Sequence, residues 1–140
     1  MKTYKLGHLI KGEDLNHHGT LFAGRMAEWF TEACFVAAAS TYGKTESIVC
    51  VKIHGMTFKK PLNKGDILSV KSKTVLTGRT SITVYGWASR EGNEETIVDG
   101  FVTFVTVDAD GNKIPHYLES PQAKTKEDLV LIEEAKKLGR

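Results

Sequence analysis

The stretch Asn16-His17-His18-Gly19-Thr20-Leu21-Phe22-Ala23-Gly24-Arg25-Met26-Ala27-Glu28-Trp29-Phe30-Thr31-Glu32-Ala33-Cys34-Phe35-Val36-Ala37-Ala38-Ala39 decides how this chain folds. From Thr20 to about Tyr42 it reads as one helix. At 100° per residue Arg25, Glu28 and Glu32 fall within about 60° of one another, with Thr31 on the flank. Beyond Ala33 the run Cys34 to Ala39 carries no polar face. A helix that is apolar on all sides has to be wrapped by the rest of the protein.

The rest supplies strands. Residues 3–10 form a short one, with Tyr4, Leu6, Leu9 and Ile10 suited to β structure, and Lys11 to Asp14 interrupt it. After the helix come strand-like segments near 47–58, 66–76, 81–90 and 95–107. They are separated by Pro61 to Asp66, Thr77 to Arg79 and Glu91 to Asn93. Connections this short predict antiparallel neighbours. Asp108 to Asn112 ends the last strand, and Thr125 with Asp128 three residues later predicts a helix over 126–138, stopped by Gly139. The layout is α+β, a curved antiparallel sheet of about five strands around a central helix. Residues 1–120 make one domain, with an amphipathic helix in 121–140 appended to it. Such a sheet leaves edges exposed, and pairing between two copies remedies that, so a homodimer is expected.

Composition narrows the function classes. The 140 residues suit one domain, and 41% hydrophobic with 26% charged residues is ordinary for a globular chain. Nineteen basic and 17 acidic residues are scattered without a basic stripe, so nucleic acid is not implied. Cys34 and Cys50 lie in apolar surroundings and read as two buried thiols in a reducing compartment. The amino terminus lacks a signal-peptide core and no apolar run reaches the roughly 20 residues of a membrane span. A cytoplasmic protein without membrane attachment is expected.

With the layout in hand, Asn16-x-x-Gly19-Thr20-Leu21-Phe22-x-Gly24 leading into an apolar helix resembles the opening of the hotdog-fold acyl-CoA thioesterases. Val51-x-x-x-Gly55-Met56-x-Phe58-x-Lys60-Pro61-Leu62-x-x-Gly65-Asp66 is similar to that family's second and third strands and their turn. Gly78-Arg79-Thr80-Ser81-Ile82 with Val84 and Trp87 is similar to its fourth strand, and Asp108 to Pro115 to its closing loop. Four fragments in order, across residues 10–116, are closest to the bacterial short-chain and brain-type acyl-CoA hydrolases. The resemblance implies hydrolysis of acyl-CoA thioesters, with coenzyme A entering as part of the substrate and no separate cofactor. It implies a homo-oligomer with shared active sites, a dimer or a larger tetramer or hexamer.

Thioester hydrolysis needs a group that polarises the carbonyl, a group that delivers water, and a slot for the acyl chain. A helix starting near Phe22 presents unpaired N–H groups with partial positive charge, and the resemblance gives the amide at Ala23 the oxyanion role, with Gly24 beside it. Gly24 also reads as a site of close packing between helix and sheet. The resemblance places at Asn16 a residue that holds water or attacks; an amide cannot attack, so orientation of water or carbonyl is expected, against a turn-forming role. The family's helix acid falls on Thr31, a departure that leaves Glu32 first and Glu28 second as candidate bases, with an ion pair to Arg25 as the structural reading. Arg79, Thr80 and Ser81 match the stretch that contacts coenzyme A phosphates from the second subunit. His18, Phe58 and Lys60 complete the expected substrate-binding set, and some of the aromatic residues line the acyl slot.

His17 and His18 read as loop residues, and His8, His54 and His116 show no metal-ligand spacing, so no metal is expected. Two other functions remain open. Thr31 in place of the acid suits an acyl-CoA binding or sensing protein that has lost its base, and a hydratase or dehydratase would need a histidine pair drawn from His17, His18 and His54.

Overall fold

The computed structural model describes residues 1–138. The strands are β1 (Tyr4–Leu9), β2 (Ile48–Phe58), β3 (Ile67–Thr77), β4 (Ser81–Arg90) and β5 (Val98–Thr106); the helices are α1 (Ala23–Tyr42) and α2 (Lys126–Lys136). All pairings are antiparallel and the sheet order is β1-β3-β4-β5-β2.

That order corrects one expectation. β2 and β3, joined by a short connection, are not neighbours; β2 pairs with β5 at one edge while β3 pairs with β1 and β4. Three interstrand steps span roughly 14 Å, and about eight residues of extended chain reach up to roughly 26 Å, so residues 59–66 can cross the end of the sheet. The crossing is tied down along its length. Leu21 donates its N–H to the Leu62 carbonyl, Gly65 to Ile10, and Ile10 to Asp66. The Asp66 carboxylate accepts from the Asn63 N–H and from Arg90 Nε. Those contacts hold it well below the ordinary carboxylate range, the Asn63 bond most of all.

α1 lies on one face of the sheet. Phe30, Cys34, Ala37 and Ala38 are sealed against Val70, Ile82, Val84, Val102 and Phe104. Small residues set how close the helix comes. A Cβ on Gly86 would sit 2.7 Å from both Cys34 Sγ and the Phe30 ring, so a bare backbone at that point in β4 is what lets α1 settle. Ser72 of β3 donates to the Ala33 carbonyl at 2.6 Å. The expectation that Cys34 to Ala39 is wrapped on all sides holds only in part: Phe35 and Val36 keep partial exposure on the flank toward β2.

β2 is the open edge. Val49, Val51, Ile53 and Phe58 are 43–50% exposed along it. Register shifts between Cys50 and Lys52 and between Ile53 and Gly55 mark two bulges there. Cys50 is accordingly exposed, against the reading of two buried thiols; Cys34 alone is buried, and burial pushes its thiol far up.

α2 lies on the opposite face. Lys73, next to the inward Ser72 and so on the other side of β3, meets Asp128 at 2.8 Å. Thr125 caps the helix by accepting from the Asp128 N–H. The Lys73 ammonium and the Lys124 N–H hold the Asp128 carboxyl down at about 2. The expected stop at Gly139 lies outside the described residues.

Candidate active site

α1 begins at Ala23, three residues later than the sequence pattern suggested. The delay has a cause: Thr20 and Leu21 commit their backbones elsewhere. Thr20 forms a bridge with Asn63, Leu21 with Leu15, and Phe22 donates to the Asp14 carbonyl. The chain enters the helix through a strap bonded on both sides.

The helix that follows is uncapped. Phe22 occupies the N-cap with extended backbone, φ −64° and ψ 129°, and no side chain accepts from the first turn. Arg25 and Met26 N–H groups return to the Phe22 carbonyl. The N–H groups of Ala23 and Gly24 have no acceptor among the described residues, as a helix start leaves them. Gly24 is bare for a local reason: an added Cβ would lie 2.5 Å from the Phe22 ring. The close packing expected at this glycine is therefore against Phe22, which stays 55% exposed, and not against the sheet.

From Gly24 a groove of about 550 Å3 runs between α1 and the edge strand. Ala27, Glu28, Thr31, Glu32 and Phe35 line it from the helix, Cys50 and Phe104 from the sheet. The structure thus brings the uncapped helix start, both candidate carboxylates and Thr31 to one surface. Neither carboxylate is buried as the sequence reading supposed; both are exposed in the single chain. Glu28, 68% exposed at its side chain, makes a 3.6 Å contact with Arg25. Arg25 is anchored at 3.2 Å by Asp14, whose side chain is only 5% exposed. No ion pair reaches Glu32 among the described residues. No histidine lines the groove.

Asn16 sits at the base of the strap and is heavily engaged. Its side-chain oxygen accepts from the His18 and Thr20 N–H groups and approaches the Thr20 hydroxyl, while Nδ2 donates to Thr20 Oγ1 at 3.0 Å. The turn-forming role is present, and the second Nδ2 hydrogen is the one donor left free. His17 and His18 are exposed with their rings 4.0 Å apart. Phe58 and Lys60 join Leu21, Met26 and Leu62 in a second concavity beside the helix start, and Lys60 pairs with Glu95 at 2.6 Å.

Arg79, Thr80 and Ser81 are elsewhere. They follow β3 past Thr74, which bonds Thr41 in the last turn of α1. A helix of this length spans roughly 30 Å, so within one chain they do not meet the helix start. His54, a weak candidate for acid/base work, bonds Thr103 at 2.7 Å and lines the concavity beneath α2, with Lys73 and Trp87. One arrangement the sequence did not reveal is His8 stacked flat on Trp29, centroids 4.4 Å apart, beside Glu32. Burial lowers the pKa of that imidazole, against a smaller opposing pull from Glu32 and Asp14. Only the backbone pairing of β1 could have signalled it.

Among the described residues no three His, Cys, Asp or Glu side chains converge as metal ligands do, and no helix is long and apolar enough to cross a membrane.

Known proteins resemble this chain in sequence and fold. A Bacillus subtilis protein named an uncharacterized acyl-CoA thioester hydrolase is 26% identical over 122 residues, covering 84% of this chain and 69% of its own. The acyl-CoA thioester hydrolase YciA of Salmonella typhimurium is 27% identical over 110 residues, 73% and 80% of the two chains. The crystal structure of an apo-hexameric acyl-CoA thioesterase superposes with a TM-score of 0.85 at 27% identity, over 96% of this chain and 86% of that one. The fold is the hotdog fold. The Thioesterase superfamily model matches residues 18–97, from the strap through α1 to the approach to β5. The chain belongs to the thioesterase superfamily.

Proposed function

We propose that this protein hydrolyses acyl-CoA thioesters to the free acid and coenzyme A. The observation that carries the reading is the uncapped start of α1, with two unpaired N–H groups opening onto a groove that holds Glu28, Thr31 and Glu32. The thioester carbonyl oxygen lies against the Ala23 and Gly24 N–H groups, which meet the negative charge that grows on it as water adds. Asn16 offers its free Nδ2 hydrogen to the carbonyl or the water; its oxygen is already taken. Glu32 accepts the proton of the attacking water, Glu28 being drawn toward Arg25. A C–O bond forms, the C–S bond breaks, and the departing thiolate takes up a proton.

The acyl chain lies along Ala27, Phe35 and Phe104. The coenzyme A end needs cationic and donor groups, and Arg79 to Ser81 of a second copy supply them, since one chain's own turn lies at the far end of α1. The exposed β2 edge and the hexameric assembly of the similar thioesterase support such an oligomer. Free thiols at Cys34 and Cys50 suit a reducing, cytoplasmic setting. Residues 1–120 carry the reaction and α2 is an appendage of the same domain.

Release of coenzyme A from a panel of acyl-CoAs tests the reaction. Turnover on at least one chain length is expected; tight binding with no turnover on any would favour the binding or sensing role suggested by Thr31. For the base, Glu32→Gln is expected to lower kcat by about 10²–10⁴ and Glu28→Gln by less. Wild-type rates in both variants would remove carboxylate catalysis.

A further inference from the structure

Tyr117 is the residue whose conformation the rest of the account leaves unexplained. Its backbone is left-handed at φ 56°, the one non-glycine residue with positive φ among those described, and its ring is 90% exposed. A bulky residue in that region costs free energy that surrounding contacts must offset. Exposed to water, the ring recovers none of it in the single chain.

The contacts that impose the conformation come from the preceding residue. His116 is buried and uses both ring nitrogens: Nδ1 accepts from the Leu118 N–H at 3.0 Å, and Nε2 lies 3.0 Å from the Ser81 carbonyl. The Leu118 bond requires a lone pair on Nδ1, so Nε2 carries the proton and donates to Ser81. The His116 N–H donates to the Arg79 carbonyl, Ile114 N–H to Thr106, and Ser120 Oγ lies 3.2 Å from Thr77 Oγ1. The imidazole therefore clamps this segment to the turn that starts β4, and the clamp turns Tyr117 outward. Gly78, Arg79, Pro115, His116, Tyr117 and Leu118 line one concavity of about 280 Å3 there. A solvent-facing aromatic ring on a pinned stretch of backbone thus shares a concavity with an exposed guanidinium.

We propose that Tyr117 is the platform on which the adenine ring of coenzyme A stacks while Arg79 pairs with its phosphates. This rests on the reading of the chain as an acyl-CoA hydrolase. An aromatic face and a cation in one concavity fit a nucleotide phosphate, and the pinned segment limits the ordering cost of binding.

The test compares an acyl-CoA with the same acyl group on pantetheine, which lacks the nucleotide. Base stacking on an aromatic residue is worth about 1–3 kcal/mol, a factor of about 5–150. Tyr117→Gly is expected to raise KM for the acyl-CoA by a factor in that range, leave kcat and all acyl-pantetheine kinetics unchanged, and melt at or above the wild-type temperature, because glycine relieves the backbone. Tyr117→Phe keeps the ring and is expected to behave as wild type. Adenosine 3′,5′-bisphosphate, titrated by calorimetry, should bind wild type and Tyr117→Phe and bind Tyr117→Gly more weakly by the same factor. Equal kinetics of Tyr117→Gly and wild type on acyl-CoA, or equal bisphosphate affinity, would overturn the assignment. Absence of turnover by wild type on either thioester would count against the hydrolase reading, and the calorimetry would still decide Tyr117.

Discussion

The two ends of α1 are treated in opposite ways. At the C-terminal end two devices close the helix: Gly43 in the left-handed region sends its N–H to the Ala39 carbonyl at 2.7 Å, and Thr41 donates to Ala37 and meets Thr74. At the N-terminal end the strap is equally well bonded, yet the N–H groups of Ala23 and Gly24 have no acceptor among the described residues. A Ser, Thr, Asp or Asn at position 22 would have capped them at a gain of about 1 kcal/mol. Phe22 stands there instead. The same helix closes one end and leaves the other open, and the open end is the one that faces the groove.

The comparison can be strained by substitution. The largest stability effect is expected at the anchor of the open end. Asp14→Ala removes the acceptor of the Lys11 N–H and the partner of Arg25, and should cost about 2–4 kcal/mol in denaturant unfolding, part of it screened by the partial exposure of Arg25. α2 offers a contrast, being on the far face of the sheet. The folded-state pKa of Asp128 is depressed to about 2 from 3.8, so its contribution is full above the unfolded value and is lost as pH falls from about 5 toward 2. Asp128→Asn should cost about 2 kcal/mol at pH 7 and flatten that acid limb in unfolding titrations, while kcat at pH 7 stays at the wild-type value. The smallest effect belongs to the closed end: Gly43→Ala, at φ 87°, should cost about 1 kcal/mol in thermal melts and leave kinetics alone.

Much of this was legible in the sequence, for reasons that can be named. The polar stripe of Arg25, Glu28 and Glu32 and the apolar run after Ala33 marked α1; alternating β-suited residues marked the strands; Thr125 and Asp128 marked the start of α2, and the cap forms. Misreadings occurred where a long-range bond overruled local pattern. Thr20 is held out of the helix by the turn at Asn16 together with its bridge to Asn63, and Leu21 by its bond to the Leu62 carbonyl. The connection after β2 looks like a hairpin turn, yet Gly65, Leu62 and Asp66 find partners in Ile10 and Leu21, which draws the chain beneath the helix start. Cys50 looked buried because its neighbours are apolar, and an edge strand without a partner leaves them in water. At the site, Gly24, Thr31 and the two glutamates converge around one groove, whereas the clamp that turns Tyr117 outward depends on a side chain bonding two backbones across β4 and has no local signature.

The central claim is that the free N–H groups at the start of α1 polarise the thioester carbonyl, and Ala23→Pro tests it most directly. Proline is well tolerated at the first helical position, and the extended Phe22 backbone already suits a residue preceding proline. The substitution removes one N–H and little else. With melting temperature unchanged or raised, kcat for acyl-CoA hydrolysis is expected to fall by about 10²–10³. A folded Ala23→Pro protein that retains the wild-type kcat would contradict the account.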